Sequence, residues 1–352
     1  MTTSFLLYGS YGYTGSLIAD LAVKNGMQPI LSGRDADRLK AQAETLGLAY
    51  HPVSLEDRPA LEAILREVPL VLNCAGPFRH TYKPTVEACL GTGRHYLDIT
   101  GEIPVFESLA RRDAEARQAG VMLLPGVGFD VVPSDCLAMH LKQRLPGGTH
   151  LTLAIRSLGG GMSRGTALTG IEGIPQQGLV RMDGKLVKVP LIWKTRQIDF
   201  GNGIRTAGNF PWGDVSTAYY STGIPNIEEY LVLPRSTMRM IRLFRPLIGL
   251  TAKPLLQRWL KQWVMRSPPG PSVEARRHGR SRLWGEVSDD QGHNAISWME
   301  TPDGYSLTAE TALGAVRHAL ADDYKAGFQT PSLAFGADFV LEFEEVQRED
   351  IK

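Results

Sequence analysis

Short apolar runs alternate with helix-length amphipathic segments over the first third of the chain. The runs at 5–8, 28–32, 48–53, 69–74, 95–99 and 121–124 predict buried strands. Between them, residues such as Leu17, Ile18 and Leu21 place apolar side chains on one helix face, and helices are also expected at 84–91 and 104–119. Strands that alternate with helices in this way predict βαβ crossovers and a parallel sheet.

The pattern changes near residue 149. THLTLAIRSL alternates with a period of two, FGNGIR carries an Asn-Gly hairpin signal, and RSRLWGEVSDDQGHNAISWME predicts two strands around a turn. We therefore expect a second, α+β domain with a mainly antiparallel sheet, followed by helices at about 305–320 and 332–343.

A glycine-rich turn lies between the first strand and the first helix. It consists of Gly9, Ser10, Tyr11, Gly12, Tyr13, Thr14 and Gly15. In a dinucleotide-binding sheet the first glycine permits a tight turn, the second lets backbone N–H groups approach a pyrophosphate, and the third allows close packing. The helix N-terminus adds N–H donors and about half a positive charge. This predicts a Rossmann-type, nucleotide-binding sheet, and the alternative is a tight turn without a ligand.

The end of the second strand indicates which nucleotide is bound. NAD-preferring sites carry an acid there, whereas this strand ends in Ser32, Gly33 and Arg34. A guanidinium can hold a 2′-phosphate with two hydrogen bonds, Ser32 offers a further donor, and Arg38 lies one helical turn on. We expect NADP(H), and the alternative is that Arg34 is an ordinary surface residue.

Seven segments in register resemble the saccharopine dehydrogenase-like oxidoreductases, and most closely their trans-acting enoyl reductases. They are LYGSYGYTG, SGRDADRL, VLNCAGPFRH, HYLDITGE, LPGVGFDVVPSD, GPSVEARRHGRSRLWGE and FQTPSLAFGADFV. The resemblance implies an NADP-binding Rossmann domain at 1–133, an inserted substrate domain at 134–330, and a C-terminal helix at 331–352 that returns to the first domain. At 80–83 this chain has His-Thr-Tyr-Lys where the family usually has Gly-Glu.

Candidate catalytic residues follow the later strands, because ligands of open α/β sheets bind beyond the carboxyl ends of the strands. The resemblance implies that one loop passes the cofactor's ribose and nicotinamide, namely Asn73, Cys74, Ala75, Gly76 and Pro77. Gly126 and Gly128 fit a second close passage of the backbone past the nicotinamide. Asp130 would either fix this loop beside the cofactor or have a purely structural role. Arg79 could meet an anionic or carbonyl group.

Three further side chains are candidates for the chemistry itself. Tyr96 or Tyr82 is the expected proton donor, and Asp98 would orient a hydroxyl unless it only caps a turn or helix. Cys74 is expected to be a packing residue and not a nucleophile. Short-chain dehydrogenases, which share the glycine spacing, need a Tyr-x-x-x-Lys pair, and none of the eleven tyrosines has a lysine four residues later.

The stretch 235–266 combines eight basic residues with many apolar ones, and no acid occurs between 231 and 273. Three interpretations remain open: a packed helix pair with a basic rim, a surface for anionic membranes, and a docking site for an acidic acyl-carrier protein. The last two favour an apolar, acyl-type substrate.

Charge and cysteine content narrow the class of protein. The net charge of +1 does not favour a nucleic-acid partner, and eight scattered histidines show no metal-ligand spacing. Three cysteines without a CxxC pair indicate a reducing compartment, and no apolar run reaches about 18 residues, so a cytoplasmic protein is expected, with peripheral membrane contact and homodimerisation left open.

These patterns together predict an NADP(H)-dependent oxidoreductase that reduces an apolar acyl, enoyl or carbonyl substrate, either a small molecule or an acyl thioester. Two alternatives remain. One is an amino-acid dehydrogenase of the saccharopine type, which would need arginines converging on carboxylates, with Arg156, Arg164, Arg181, Arg196 and Arg205 as candidates. The other is a non-catalytic NADP-binding adaptor at a membrane surface.

Overall fold

The computed structural model describes residues 4–159, 161–173 and 178–351. The strands, in chain order, are β1 Leu6–Tyr8, β2 Ile30–Gly33, β3 Tyr50–Pro52, β4 Leu70–Asn73, β5 His95–Asp98, β6 Met122–Leu124, β7 His150–Leu158, β8 Gly178–Met182, β9 Lys185–Val189, β10 Thr195–Asp199, β11 Ile204–Asn209, β12 Asn226–Val232, β13 Arg280–Ser288, β14 Asn294–Pro302, β15 Gly327–Phe328 and β16 Gln347–Ile351.

The α-helices, in chain order, are α1 Tyr13–Lys24, α2 Ala36–Leu46, α3 Arg58–Leu65, α4 Phe78–Thr92, α5 Ile103–Ala110, α6 Asp113–Gln118, α7 Val132–Arg144, α8 Arg164–Gly173, α9 Asp214–Thr222, α10 Arg235–Phe244, α11 Pro254–Val264, α12 Val273–His278, α13 Gly304–Leu320 and α14 Pro331–Phe335. Two 3-10 helices span Arg245–Ala252 and Phe339–Glu342.

The chain divides into two compact units. The first contains the residues up to Val132 together with Tyr305–Phe335, and the second contains Pro133–Gly304 together with the residues from Gly336 onward. In the first unit seven strands form one sheet in the order β15-β6-β5-β4-β1-β2-β3, and every pairing is parallel. The predicted Rossmann-type parallel sheet is therefore confirmed.

Burial explains why these segments are strands. Leu6 and Leu7 point to opposite faces of the sheet, and both are fully buried, as are Val71 and Leu72. Continuous apolar runs of this kind are typical of parallel strands that are covered on both faces. The helices between them begin at ordinary capping residues: Asp35 accepts a hydrogen bond from the Arg38 N–H, and Asp57 accepts one from the Ala60 N–H.

The second unit contains the predicted, mainly antiparallel sheet. Its main path is β10-β11-β12-β7-β13-β14-β16, with β8 joined to β12 and β9. Among the described strand pairs of this sheet, β12 and β7 are parallel and all others are antiparallel. The Asn-Gly signal lies in the β10–β11 hairpin, and the Trp-containing segments form the β13–β14 hairpin with Trp284 opposite Trp298.

Two predicted helices differ from those observed. The helix expected over 104–119 is split into α5 and α6, because the chain leaves helical geometry at Arg112, which has a φ of −98° and a ψ of 10°. The helix expected over 331–352 is also wrong. Gly336, with a φ of +90°, follows the short α14, and Gln347–Ile351 forms β16, which pairs with β14 in the second unit. The later segments that belong to the first unit are instead α13, β15 and α14.

Candidate functional site

The order of the strands reverses between β1 and β4. From β1, the strands β2 and β3 follow on one side, whereas β4, β5 and β6 follow on the other. Open α/β sheets bind their ligands at the crevice outside such a reversal, beyond the carboxyl ends of the strands. The turn after β1 and the loop after β4 border this point, so the site is built from these two segments and their neighbours.

Two glycines of the first turn, Gly9 and Gly15, lie where no side chain would fit. Gly9 has a φ of +81°, and a Cβ on it would lie 2.8 Å from the Ala75 nitrogen. A Cβ on Gly15 would lie 2.4 Å from the Gly9 carbonyl oxygen, so this glycine permits contact with the turn itself. Helix α1 starts after Gly12 with no side-chain cap and no acid in its first turn, which holds the half-buried Thr14. An uncapped N-terminus behind a compact turn suits a pyrophosphate.

Tyr11 organises the end of β2. Its ring lies over Gly33, where a Cβ would be 2.6 Å from the Tyr11 Cε1 atom. Its hydroxyl oxygen accepts hydrogen bonds from the backbone N–H groups of Arg34, at 3.2 Å, and Asp35, at 3.3 Å. The Arg38 guanidinium stacks 4.5 Å from the ring centroid and donates to the Tyr11 carbonyl oxygen. The sequence places Tyr11 within the glycine turn but does not indicate its contacts with the end of β2. Those contacts join residues more than twenty positions apart in the chain.

Arg34 is exposed, and no hydrogen bond or ion pair holds its guanidinium within the described part of the chain. Arg38 is held beside it by Tyr11, so two cations flank the tip of β2. Asp35, the nearest acid, is occupied as the cap of α2. This charge pattern suits a phosphate on the ribose better than a free ribose hydroxyl pair.

The two serines of this region are directed into the protein. The Ser10 hydroxyl donates to the Gln42 side chain, which donates back to the Ser10 carbonyl oxygen at 3.0 Å. The Ser32 hydroxyl donates to the His51 carbonyl oxygen at 2.8 Å, and Ser32 is fully buried. The structure therefore does not support the expectation that Ser32 offers a donor to a phosphate, because its proton is used inside the fold. Gln42 had no signal in the sequence pattern.

The loop after β4 is held by its own polar groups. The buried Asn73 accepts a hydrogen bond from the Ala75 N–H at 3.0 Å and donates to the Thr81 hydroxyl oxygen at 3.2 Å. Thr81 donates in turn to the Ala75 carbonyl oxygen. The Gly76–Pro77 peptide bond is cis, and Pro77 immediately precedes α4. The hydrogen bonds of Asn73 and Thr81 hold the backbone of this loop beside Gly9.

Asp98 connects the loops that follow three adjacent strands. Its Oδ1 atom accepts hydrogen bonds from the Thr100 N–H at 2.9 Å and the Gly126 N–H at 3.0 Å. Its Oδ2 atom accepts the Tyr96 hydroxyl proton at 2.7 Å, and the Asn73 amide donates to that hydroxyl oxygen at 3.4 Å. Asp98 has no exposed surface, and burial raises its pKa from 3.8 to about 6.

Both predicted proton donors have hydrogen-bond partners within the protein. Tyr96 is fully buried, its hydroxyl is bonded to Asp98, and burial raises its pKa well above 10. The Tyr82 hydroxyl lies 3.0 Å from the Ser108 Oγ atom on α5, between two helices. In this structure the Tyr96 hydroxyl donates to Asp98, and the Tyr82 hydroxyl joins α4 to α5 through Ser108. The expectation that either tyrosine protonates substrate, with Asp98 orienting a hydroxyl, stays a prediction.

Glu102 and Arg79 form a second anchor at this edge. The Glu102 carboxylate accepts hydrogen bonds from the Phe78 N–H at 2.6 Å and from the Arg79 side chain at 3.0 Å, and its own side chain is 3% exposed. It thereby satisfies the first N–H groups of α4, which has no side-chain cap of its own. Arg79 is paired with this acid, and Glu102 had no assigned role in the sequence.

The loop after β6 rests against α13. The Phe129 N–H donates to the Thr308 hydroxyl oxygen at 3.0 Å, and a Cβ on Gly128 would lie 2.9 Å from the Thr308 Cγ2 atom. Gly126 has a φ of +78° and presents its N–H to Asp98. Burial raises the pKa of Asp130 to about 6, and this carboxylate lies directly over Gly101. At the start of α13, Tyr305 meets Tyr13 edge to face, with ring centroids 5.1 Å apart.

The described residues contain neither a metal-ligand cluster nor a membrane-spanning helix. No group of three or more His, Cys, Asp or Glu side chains is arranged there to hold a metal ion. None of the described helices is both long and apolar enough to cross a membrane. Burial raises the pKa of the Cys74 thiol, with a further contribution from Asp98, so this residue stays protonated.

Replacing Asp98 with Asn tests the raised pKa of this carboxyl. The native state holds the proton more tightly than the unfolded chain, so this stabilisation is complete below pH 3.8 and is lost as the pH rises towards 6. Relative to Asp98→Asn, the wild-type free energy of unfolding should therefore fall by about 2–3 kcal/mol between about pH 4 and about pH 7. Urea unfolding of both proteins at each pH measures this difference. A difference that does not change with pH would contradict the assignment.

Comparison with known proteins agrees with this geometry. Residues 5–124 match the family described as the saccharopine dehydrogenase NADP binding domain. A trans-acting enoyl reductase of Mycobacterium leprae is 34% identical over 148 residues, which are 40% of this chain and 35% of that protein. A Mycobacterium tuberculosis protein, whose name marks its trans-acting enoyl reductase activity as provisional, is 32% identical over 181 residues, 47% of this chain and 43% of that protein. The match thus spans less than half the length of these curated relatives.

A solved structure shares the fold. Apo saccharopine dehydrogenase (L-Glu forming) from Saccharomyces cerevisiae aligns with a TM-score of 0.68 over 99% of this chain and 100% of that chain, at 12% sequence identity. The predicted resemblance to saccharopine dehydrogenase-like oxidoreductases, and to their trans-acting enoyl reductases, is confirmed. Residues 5–124 therefore belong to the saccharopine dehydrogenase NADP-binding domain family, with NADP(H) as the cofactor of this domain.

Proposed function

We propose that the chain is an NADP(H)-dependent oxidoreductase that reduces an apolar acyl or enoyl group, or a related carbonyl, by hydride transfer. The observation that carries this proposal is the glycine turn at the uncapped start of α1, beside which the Arg34 guanidinium makes no hydrogen bond or ion pair among the described residues. Gly9 and Gly15 keep the turn compact, and the uncapped N–H groups at the start of α1 support the approach of a ligand's phosphates. The names of the curated relatives support an enoyl substrate over other reducible groups.

The residues present fit NADP(H). The backbone of Gly9–Gly15 and the N–H groups of α1 would hold the pyrophosphate. Arg34 and Arg38 would hold the 2′-phosphate, and Tyr11 would keep both at the tip of β2 through the hydrogen bonds and stacking that it makes there. The cofactor, when bound, supplies the hydride. The protein's task is then to fix the position of the reacting groups and to exclude water.

The hydrogen bonds at the carboxyl edge suit that positioning task. Asp98 holds the loops after β4, β5 and β6 in one arrangement, and Glu102 holds the start of α4. Reduction by hydride transfer needs no nucleophilic side chain, and a protonated Cys74 agrees with that. We propose that these loops present backbone N–H groups and apolar surface to an acyl group, supplied as a thioester by a second protein or as a free small molecule.

The amino-acid dehydrogenase alternative is less well supported. It requires arginines that can bind substrate carboxylates, whereas the five candidates have partners within the second unit. Arg181 donates to two backbone carbonyl oxygens, Arg196 pairs with Glu286, and Arg164 donates to the Ser267 carbonyl oxygen. Arg156 donates to Asn202, and Arg205 donates to the carbonyl oxygen of Ile204.

Turnover separates the proposed reaction from its alternatives. The purified protein should oxidise NADPH in the presence of a 2-enoyl thioester, and deuterium from NADPH labelled at nicotinamide C4 should appear in the reduced acyl product by mass spectrometry. Oxidation only with a 2-oxo acid plus lysine would favour the amino-acid dehydrogenase. NADPH binding without turnover of either substrate class would favour the non-catalytic adaptor. The protein without substrate is the control for background oxidation.

Replacing Gly15 with Ala tests the glycine turn. Its Cβ would lie 2.4 Å from a carbonyl oxygen, so the turn must move and the Kd for NADPH should rise about tenfold or more. Calorimetry measures the Kd, and circular dichroism verifies the fold. Gly147→Ala is the matched control, because a Cβ there meets nothing within 4 Å. Equal affinities in the two variants would contradict the proposed phosphate site.

Replacing Arg34 with Glu tests the recognition of the 2′-phosphate. Losing a charge-assisted contact worth about 1.5–3 kcal/mol should weaken NADPH binding about 10- to 100-fold, while NADH binding should be unchanged or tighter. Fluorescence titration with both nucleotides provides the two Kd values. Lys24→Glu makes the same charge change at another exposed position and should preserve the preference. An unchanged NADPH-to-NADH ratio in Arg34→Glu would remove Arg34 from the site.

A further inference from the structure

The surface formed by α10, the 3-10 helix Arg245–Ala252 and α11, extended to Arg266, is here called the 235–266 surface. Its exposed side is apolar. Met240, Leu243, Phe244 and Leu247 follow one another at helical spacing, and Leu243 is 74% exposed. On α11, Leu255, Trp259 and Trp263 are four residues apart and are 83%, 61% and 62% exposed. Two rows of large apolar side chains therefore point to solvent.

The protein-facing side of the same helices combines the buried apolar residues Met238 and Val264 with several polar contacts. Arg242 and Arg245 donate to the carbonyl oxygen of Ile192, and Arg245 also donates to that of Leu191 at 2.7 Å. Lys261 forms an ion pair of 2.5 Å with Glu172, and Gln257 donates to the Ile171 carbonyl oxygen at 3.0 Å. A helix on the surface of a globular protein normally places its apolar side inward. These helices carry additional rows of large apolar side chains on their outer side, which is unfavourable while those rows face water.

The rim of this surface is uniformly cationic. Five basic side chains are exposed and make no hydrogen bond or ion pair within the described residues: Arg235, Arg239, Lys253, Arg258 and Arg266. No acid occurs between residues 231 and 273 to balance them. The net charge of the whole chain is only +1, so the positive charge is concentrated here. An occupant of this surface must therefore be anionic at its edge and apolar beneath it.

These requirements select between the candidate occupants. A second copy of the same surface would bring cations against cations, which opposes association. An acidic protein would match the charge, but it would also need a separate apolar pocket for each tryptophan, since the tryptophans lie on different helical turns. The boundary of an anionic bilayer supplies phosphates above and hydrocarbon below over the whole surface, and tryptophan is enriched at that depth. Since no described helix is long enough to cross a membrane, the contact would be interfacial.

We propose that the 235–266 surface binds the face of an anionic phospholipid bilayer. Leu243, Phe244, Leu255, Trp259 and Trp263 enter the interface between headgroups and acyl chains, and the exposed arginines and Lys253 contact lipid phosphates. Arg242, Arg245 and Lys261 anchor the helices to the protein from the other side. This inference does not depend on the proposed reaction, since it involves none of the residues placed at the nucleotide site.

Vesicle binding by the full chain tests the proposal. Sedimentation with vesicles of phosphatidylcholine alone is compared with vesicles of phosphatidylcholine and phosphatidylglycerol in equal parts, at low and high salt. Two double variants address the two interactions: Trp259→Ser with Trp263→Ser, and Arg258→Gln with Arg266→Gln. The matched controls are Ile204→Ser, which replaces an exposed apolar residue elsewhere, and Lys24→Gln with Arg277→Gln. Circular dichroism and NADPH affinity establish that every variant is folded.

We expect binding to the mixed vesicles, little binding to phosphatidylcholine alone, and weakening at high salt. Each double variant should raise the lipid concentration for half-maximal binding about tenfold or more, whereas the controls should leave it unchanged. Tryptophan fluorescence should be quenched by brominated acyl chains. The proposal is overturned if anionic vesicles do not bind, or if neither double variant weakens binding. It is also overturned if the protein binds an acidic acyl-carrier protein or itself through this surface and not the vesicles.

Discussion

The Asp98 carboxylate accepts two backbone N–H groups and one tyrosine hydroxyl in a place where water cannot reach it. A buried charge is tolerated only when such donors replace its hydration. Its pKa, raised to about 6, indicates that three donors replace that hydration incompletely. Ionised Asp98 therefore lowers the free energy of unfolding at neutral pH. What the structure gains is a fixed relation between the loops after β4, β5 and β6, because each donor or its partner lies on a different one of them.

The first turn depends on this arrangement through a backbone contact. Gly9 comes so close to Ala75 that no Cβ fits between them, and Ala75 is held by Asn73, whose amide reaches the Tyr96–Asp98 pair. The position of the proposed phosphate cradle and the position of the later loops are consequently linked. Asp98 and Gly9 are thus joined by a continuous series of hydrogen bonds and contacts, although the two residues do not touch directly.

Features set by local spacing were accessible from the sequence, and features set by distant partners were not. The alternation of strands and helices along the chain, the glycine turn and Arg34 could be recognised from the sequence. Hydrophobic periodicity, turn residues and the end of β2 are local signals. The roles of Tyr11, Gln42 and Glu102 depend on partners 24 to 32 residues away, and the burial of Tyr96 depends on a loop beyond another strand. β16 was missed because QREDI has almost no apolar residue, and it forms only by pairing with β14.

Amphipathic periodicity identified the helices of the 235–266 surface, yet it could not indicate which side faces the protein. That depends on the carbonyl oxygens of Leu191 and Ile192, which accept hydrogen bonds from Arg242 and Arg245.

The protonated state of Cys74 has a chemical consequence for the proposed reduction of an enoyl group. A conjugated acyl group is an electrophile, and a thiolate beside it would add to the double bond and form a stable thioether. This addition would alkylate the cysteine and inactivate the protein. Burial, together with the negative charge of Asp98, holds Cys74 in the weakly nucleophilic thiol form although it lies on the loop next to the crevice. With the proposed enoyl substrate, the same carboxylate that orders the loops would therefore also protect one of them from alkylation.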